Sequence, residues 1–134
     1  MALALVDSNV LLDVLREDAR WLDWSASALA DAADQGGLAI NAVIYAEVSV
    51  GFSRIEACEA ALPETVFQRL SLPWEAAFLA GKSFLHYRRA GGTRQSPLPD
   101  FFIGAHAAVA NLILITRDVR RYRTYFPQLT LVTP

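Results

Sequence analysis

The sequence predicts an α/β fold in which a parallel sheet of about five strands is flanked by helices. Three observations lead there. Residues 3–6 (Leu-Ala-Leu-Val) and 112–115 (Leu-Ile-Leu-Ile) are continuously apolar, the pattern of strands buried on both faces. Strand-like runs alternate with helical periodicity along the chain, which calls for crossover connections and so for parallel strands. At 134 residues and 54% hydrophobic content, the chain is long enough to bury one continuous core. A single domain over residues 1–134 is expected, without repeats or linkers.

The first strand ends at Asp7-Ser8-Asn9, residue types that cap helices, and a helix from about residue 9 to 16 should follow. A second helix over 20–35 places Leu22, Ala26, Leu29 and Ala33 on one face and stops at Gly36-Gly37. Residues 38–40 form the second strand. Asn41 can cap a helix to about residue 50, on which Val43, Ala46, Glu47 and Val50 share a side, leaving Glu47 as a carboxylate on an otherwise apolar face. A short helix over 54–62 stops before Pro63, and 66–72 alternates enough to be a strand. An amphipathic helix over 74–89 closes at Gly91-Gly92. Residues 92–99, rich in Gly, Ser, Thr and Pro, read as a mobile loop. Pro99-Asp100 opens the next helix, which leads into the apolar strand at 112–115. Thr116-Arg117-Asp118, a short basic helix to about residue 126 and a last strand at 129–132 complete the order.

The net charge of −2 hides an asymmetry. Residues 1–81 hold twelve acids and four arginines, whereas 82–123 hold eight bases and two acids. Those bases are Lys82, Arg88, Arg89, Arg94, Arg117, Arg120, Arg121 and Arg123. A solvated face is the bland account of such a run. Beside isolated carboxylates it also suits a polyanion, because arginine forks match phosphate oxygens, and Arg88, Arg89, Arg94, Arg117, Arg120 and Arg121 are the candidate phosphate contacts. The single cysteine, Cys58, closes no intramolecular disulfide, and no Cys/His cluster suggests zinc. Asp7 comes too early for a signal-peptide core, and no apolar run approaches the roughly 18 residues needed to span a bilayer. A cytoplasmic protein that does not engage membranes is expected.

In open parallel sheets the active site lies beyond the carboxyl ends of the strands, where strand order reverses. Asp7 and Asp118 follow the two most apolar strands, which should be central neighbours. Asp100 and Glu47, on helices leading into or out of strands, can reach the same edge. Singly, Asp7 and Asp100 also suit helix caps, Asp118 a turn and Glu47 a solvated helix. Jointly, four clustered carboxylates would repel by about 4 kcal/mol per pair at ~4 Å and an effective dielectric near ~20, so a cation is required. Oxygen ligands without histidine or cysteine select Mg²⁺ or Mn²⁺.

Four segments carry a family resemblance. They are Val6-Asp7-Ser8-Asn9-Val10-Leu11, Tyr45-Ala46-Glu47-Val48, Leu98-Pro99-Asp100-Phe101-Phe102-Ile103-Gly104-Ala105-His106-Ala107 and Leu114-Ile115-Thr116-Arg117-Asp118. In that order and spacing the chain resembles the PIN domain nucleases, and more narrowly the VapC toxins of type II toxin-antitoxin modules. The resemblance implies a Rossmann-like sheet, an endoribonuclease dependent on Mg²⁺ or Mn²⁺, a homodimer, and inhibition by a cognate VapB-type antitoxin. It also implies that Asp7, Asp100 and Asp118 hold metal, the last directly or through water, and that Glu47 positions or deprotonates the attacking water. Ser8, Asn9 and Thr116 are similar to polar residues that support those acids, though Ser8 and Asn9 equally suit helix capping.

Other residues are given structural roles. His86 and His106 read as packed or surface histidines. Of Trp21 and Trp24, one is expected in the core and one at an interface. Asp13, Glu17, Asp18 and Asp23 are expected to face water. Three competing functions remain. A haloacid dehalogenase phosphatase would want an aspartate where Asn9 stands, and a receiver domain a lysine after the last strand, where the only lysine is Lys82. A catalytically silent PIN-like partner-binding module would have no need of four acids.

Overall fold

The computed structural model describes residues 2–94 and 98–134. Among them are five strands, β1 (Ala4–Val6), β2 (Leu38–Ile40), β3 (Phe67–Arg69), β4 (Ile113–Ile115) and β5 (Leu131–Val132). All pair in parallel in the order β3-β2-β1-β4-β5. Seven helices flank them: α1 (Ser8–Leu15), α2 (Leu22–Gln35), α3 (Ala42–Ser49), α4 (Ile55–Ala61), α5 (Trp74–Arg89), α6 (Pro99–Ala110) and α7 (Val119–Tyr125). This is the expected α/β architecture. The loop predicted over 92–99 includes residues 95–97, which lie outside the described residues.

The two most apolar strands are neighbours, with Val6 opposite Ile115. Every residue of β1 and β2 is buried, as a sheet covered on both faces requires. Strand order reverses at β1, where the chain leaves the β2–β3 side for β4 and β5. The crevice expected at such a switch point opens at the carboxyl ends of β1 and β4. β3 is shorter than predicted because it is an edge: Val66 and Gln68 are exposed, and the Val66 and Phe67 amides turn back onto Pro63 O. β5 begins two residues late, since the Leu129 amide bonds to Phe126 O.

Three expectations need correction. On α2 the buried positions are Ser25 and Ala28, and Ala26 and Ala33 are exposed. Ser25 reaches the core because its hydroxyl donates to Asp13 Oδ2 at 2.7 Å. Asp13 does not face water: it is buried, with Arg117 as its partner. On α3 the core face is Ile44 and Val48, and the side shared by Glu47 opens outward, with Ala46 and Val50 exposed.

Asn41 caps α3 as expected, accepting from Ile44 N at 2.9 Å, and its amide nitrogen lies 2.9 Å from His106 Nδ1. His106 is thus a packed histidine, its pKa lowered by burial. His86 is exposed, edge-on to Tyr125 at 5.5 Å. Trp24 packs against the core, and Trp21 lies under the Arg20 and Arg117 guanidiniums, each 4.9 Å from its ring. The most exposed tryptophan is Trp74 at 87%, which shares a face of α5 with exposed Phe78 and Leu85, four and eleven residues on. Among the described residues no helix is long and apolar enough to cross a membrane.

Candidate active site

The site begins with the turn after β1. Asp7 is only 2% exposed, with its amide continuing the ladder to Ile115 O at 2.9 Å. Its Oδ1 accepts from Ser8 N at 2.8 Å, which caps α1. Its Oδ2 accepts from Thr116 Oγ1 at 2.8 Å and Tyr122 Oη at 3.0 Å. A buried carboxylate with this many donors is held in one orientation. Burial raises the Asp7 pKa, and the hydrogen bonds from Thr116, Tyr122 and Ser8 N oppose that rise.

Thr116, Asn9 and Ser8 tie the surrounding turns together. Thr116 Oγ1 accepts from Asp118 N at 3.0 Å, folding the chain after β4 back towards Asp7. Asn9 Oδ1 accepts from Arg117 N at 3.3 Å, and its amide nitrogen lies 3.4 Å from Thr116 Oγ1. Ser8 Oγ donates to Glu47 Oε1 at 3.0 Å, linking α1 to α3. Burial, with repulsion from Asp100, raises the Glu47 pKa against the Ser8 hydrogen bond.

Asp100 enters from the first turn of α6, where negative charge is favourable. Its pKa is nevertheless pushed up to about 6, first by burial and then by the charges of Asp7 and Asp118. Arg121 Nη1, 3.5 Å from Oδ2, offsets part of this. The four predicted acids therefore sense one another at one edge of the sheet, with Asp118 the most exposed.

The raised Asp100 pKa has a testable consequence for stability. Between about pH 4 and 6 the folded protein keeps a proton on Asp100 that the unfolded chain has released, so unfolding free energy falls as pH rises through this window. Asp100→Asn, which removes the titration, should gain stability relative to wild type across that window and hold a constant advantage above it. Thermal melts of both proteins in EDTA check this; a difference independent of pH would show that Asp100 titrates normally.

Two functional contacts escaped sequence reading. Tyr122 is fully buried, and its single hydroxyl proton sits between Asp7 Oδ2 at 3.0 Å and Asp100 Oδ1 at 3.4 Å, so the Asp7 bond dominates. Gly104 makes room for it: a Cβ there would lie 2.5 Å from the Phe126 ring and 3.1 Å from that of Tyr122. A tyrosine four residues after Asp118, inside an arginine run, was the available signal. The second contact is Arg117, whose Nε and Nη2 bind the two Asp13 oxygens at 2.6 and 2.8 Å. Arg117 is therefore held from behind the site. Arg88, Arg89, Arg94 and Arg120 are exposed, Arg88 donating to Arg94 O at 2.7 Å, and Arg121 leans on Asp100.

Every acid donor at this edge is a hard oxygen, which suits Mg²⁺ or Mn²⁺ more than zinc, and the like charge that strains Asp100 suits a divalent cation of any kind. Among the described residues no three acidic, histidine or cysteine side chains close around one point as ligands of a filled site would. Asp7 faces Thr116 and Tyr122, and Asp100 is drawn to Arg121. The donor set fits such an ion, and its ligand side chains would have to draw together around it.

The same fold occurs in a chain of VapBC2 from Rickettsia felis bound to a DNA fragment from their promoter (TM-score 0.76, 18% identity, 98% of each chain covered). It occurs in VapBC-1 from nontypeable Haemophilus influenzae (0.73, 18% identity, 98% of this chain and 97% of that one). A toxin-antitoxin complex from Klebsiella pneumoniae contains a chain 26% identical, with a TM-score of 0.68 over 98% of this chain and 97% of that one. No curated protein matches by sequence. Residues 4–127 match the PIN domain model, and the chain belongs to the PIN domain family.

Proposed function

We propose that the protein is a metal-dependent endoribonuclease, the toxin of a type II toxin-antitoxin pair. The observation that carries this reading is the mutually repelling acid group at the switch point, anchored on buried Asp7, with Asp100 raised to about 6. Asp7, Asp100 and Asp118 are the residues to hold Mg²⁺ or Mn²⁺. Such an ion supplies charge neutralisation at the scissile phosphate and a more acidic water. Glu47, steadied by Ser8 and with a raised affinity for protons, is suited to orient that water and take its proton. Ser8, Asn9 and Thr116 hold the acids in place. Exposed Arg88, Arg89, Arg94 and Arg120, with Arg121 at the rim, supply positive charge for the RNA backbone, whereas Arg117 acts through its ion pair.

The partner reading draws on the VapBC and toxin-antitoxin assemblies in which this fold recurs. A cognate VapB-type antitoxin and a second copy of the chain are the proposed partners, in the cytoplasm. The exposed stripe of Trp74, Phe78 and Leu85 is a surface suited to one of them. A silent partner-binding module is the second reading, favoured by the Arg121 guanidinium that already offsets the Asp100 charge.

One experiment separates the two. Purified protein, freed of antitoxin, should cleave structured RNA with Mg²⁺ or Mn²⁺ and stop on addition of EDTA, and its expression should arrest growth until the antitoxin is supplied. Intact transfer, ribosomal and messenger RNA after incubation with either metal would favour the silent module.

A further inference from the structure

We propose that the pocket between α5 and α7, beside Asp118, receives one unpaired nucleobase of the RNA next to the phosphate that is cut. The inference rests on the ribonuclease reading and deepens it. The pocket has a volume of about 390 Å³ and is lined by Tyr87, Asp118, Arg120, Arg121, Thr124 and Tyr125. That size lies within the ~300–1,000 Å³ of sites that take small organic groups.

Its chemistry is that of a base and a phosphate together. Tyr87 and Tyr125 supply aromatic walls that are already rigid. Tyr125 stands edge-on to Phe101 at 5.2 Å, and Tyr87 packs on Phe84 at 6.0 Å and Phe101 at 5.7 Å. A base stacked there orders little that is not ordered already. The Arg121 guanidinium lies 5.9 Å from the Tyr87 ring centroid and 5.8 Å from that of Phe101, a flat cation in the pocket's lining. Arg120 is exposed, and among the described residues no acceptor holds its guanidinium, which leaves its fork for a phosphate. Thr124 already donates its proton to Arg120 O at 2.8 Å, so its hydroxyl offers an acceptor to a base N–H.

Position gives the pocket its meaning. Asp118 belongs both to its lining and to the acid group that acts on Asp100. The two tyrosine rings touch edge-on at 6.4 Å and form one continuous wall, and a base lying against that wall brings its own phosphate to the acids. A base inside a continuous duplex cannot present its face to a side-chain ring, and single-stranded or looped RNA can. The substrate class follows: RNA with an unpaired nucleotide at the cleaved bond, with stacking providing grip and little identity of the base.

The test uses the whole protein and an unstructured hexaribonucleotide carrying fluorescein. Binding is read by anisotropy in EDTA, so no cleavage occurs, and each nucleotide in turn is replaced by an abasic ribose. Stacking of one base should appear as a single position whose loss weakens binding about tenfold or more. Thr124→Trp, on the exposed side of α7, fills the pocket. It should bind the intact hexamer as weakly as wild type binds the abasic one, with no further abasic penalty. Equal binding of all abasic hexamers, or an unchanged penalty in Thr124→Trp protein with a native circular dichroism spectrum, overturns the pocket assignment. Absence of metal-dependent cleavage alongside a single-position penalty instead removes the nuclease reading and leaves the pocket standing.

Discussion

Asp100→Asn should lower RNA cleavage by on the order of 10²–10³-fold while the protein becomes more stable, and the pairing of those two effects is the diagnostic result. The amide keeps the shape of the carboxylate and can still meet Tyr122. It removes one charge from a group in which Asp7 and Asp118 both push Asp100 towards protonation. A residue selected for packing behaves the opposite way, losing stability when altered. Asp7→Asn should cost cleavage as severely but also destabilise, since its oxygens accept from Ser8 N, Thr116 and Tyr122, and an amide nitrogen facing those donors leaves one unsatisfied. Single-turnover cleavage and thermal melts of both variants make the comparison. Wild-type cleavage by either variant would remove the acid group from the mechanism.

Asp13→Ala should destabilise by about 2–3 kcal/mol, because it leaves the Arg117 cation without its partner and the buried Ser25 hydroxyl without its acceptor. The Arg117 side chain is 26% exposed, so water recovers part of its loss, whereas the fully buried Ser25 hydroxyl has no water to turn to. A fall in melting temperature of about 10 °C is the expected reading for a chain of this size. Asp13→Ala combined with Arg117→Met should regain much of it, since an apolar pair leaves no buried charge. Arg117 stands between Thr116 and Asp118, so the single variant should also cut RNA more slowly even where it is fully folded. A single-variant melting point within about 2 °C of wild type would show the ion pair to be marginal.

Much of the fold was legible because burial on both faces leaves an unmistakable sequence mark. The apolar runs around Leu5 and Leu114 located β1 and β4, and their placement at the centre of the sheet then located Asp7 and Asp118. Periodicity failed where polar residues are buried. Ser25 and Asp13 read as solvent-facing because the partner that neutralises Asp13 lies 104 residues away, and local spacing holds no information about that distance. Tyr122 was hidden for the same reason, its hydroxyl meeting Asp7 across 115 residues. The premise for Glu47 failed, since the side of α3 it shares with Ala46 and Val50 opens outward; it is the tether from Ser8 that turns it towards the other acids.

The separation of 109 residues between Asp7 and Thr116 also fixes when a chain leaving the ribosome can close this site. A nascent chain that has emerged through β3 carries Asp7 and Glu47 but lacks Asp100, Asp118 and the Tyr122 hydroxyl that steadies Asp7. Such long-range closure is entropically late in folding. On the proposed ribonuclease reading, the growing chain would therefore stay harmless to the messenger and the ribosome making it, and acquire its acid group only as the last helix docks through Gly104.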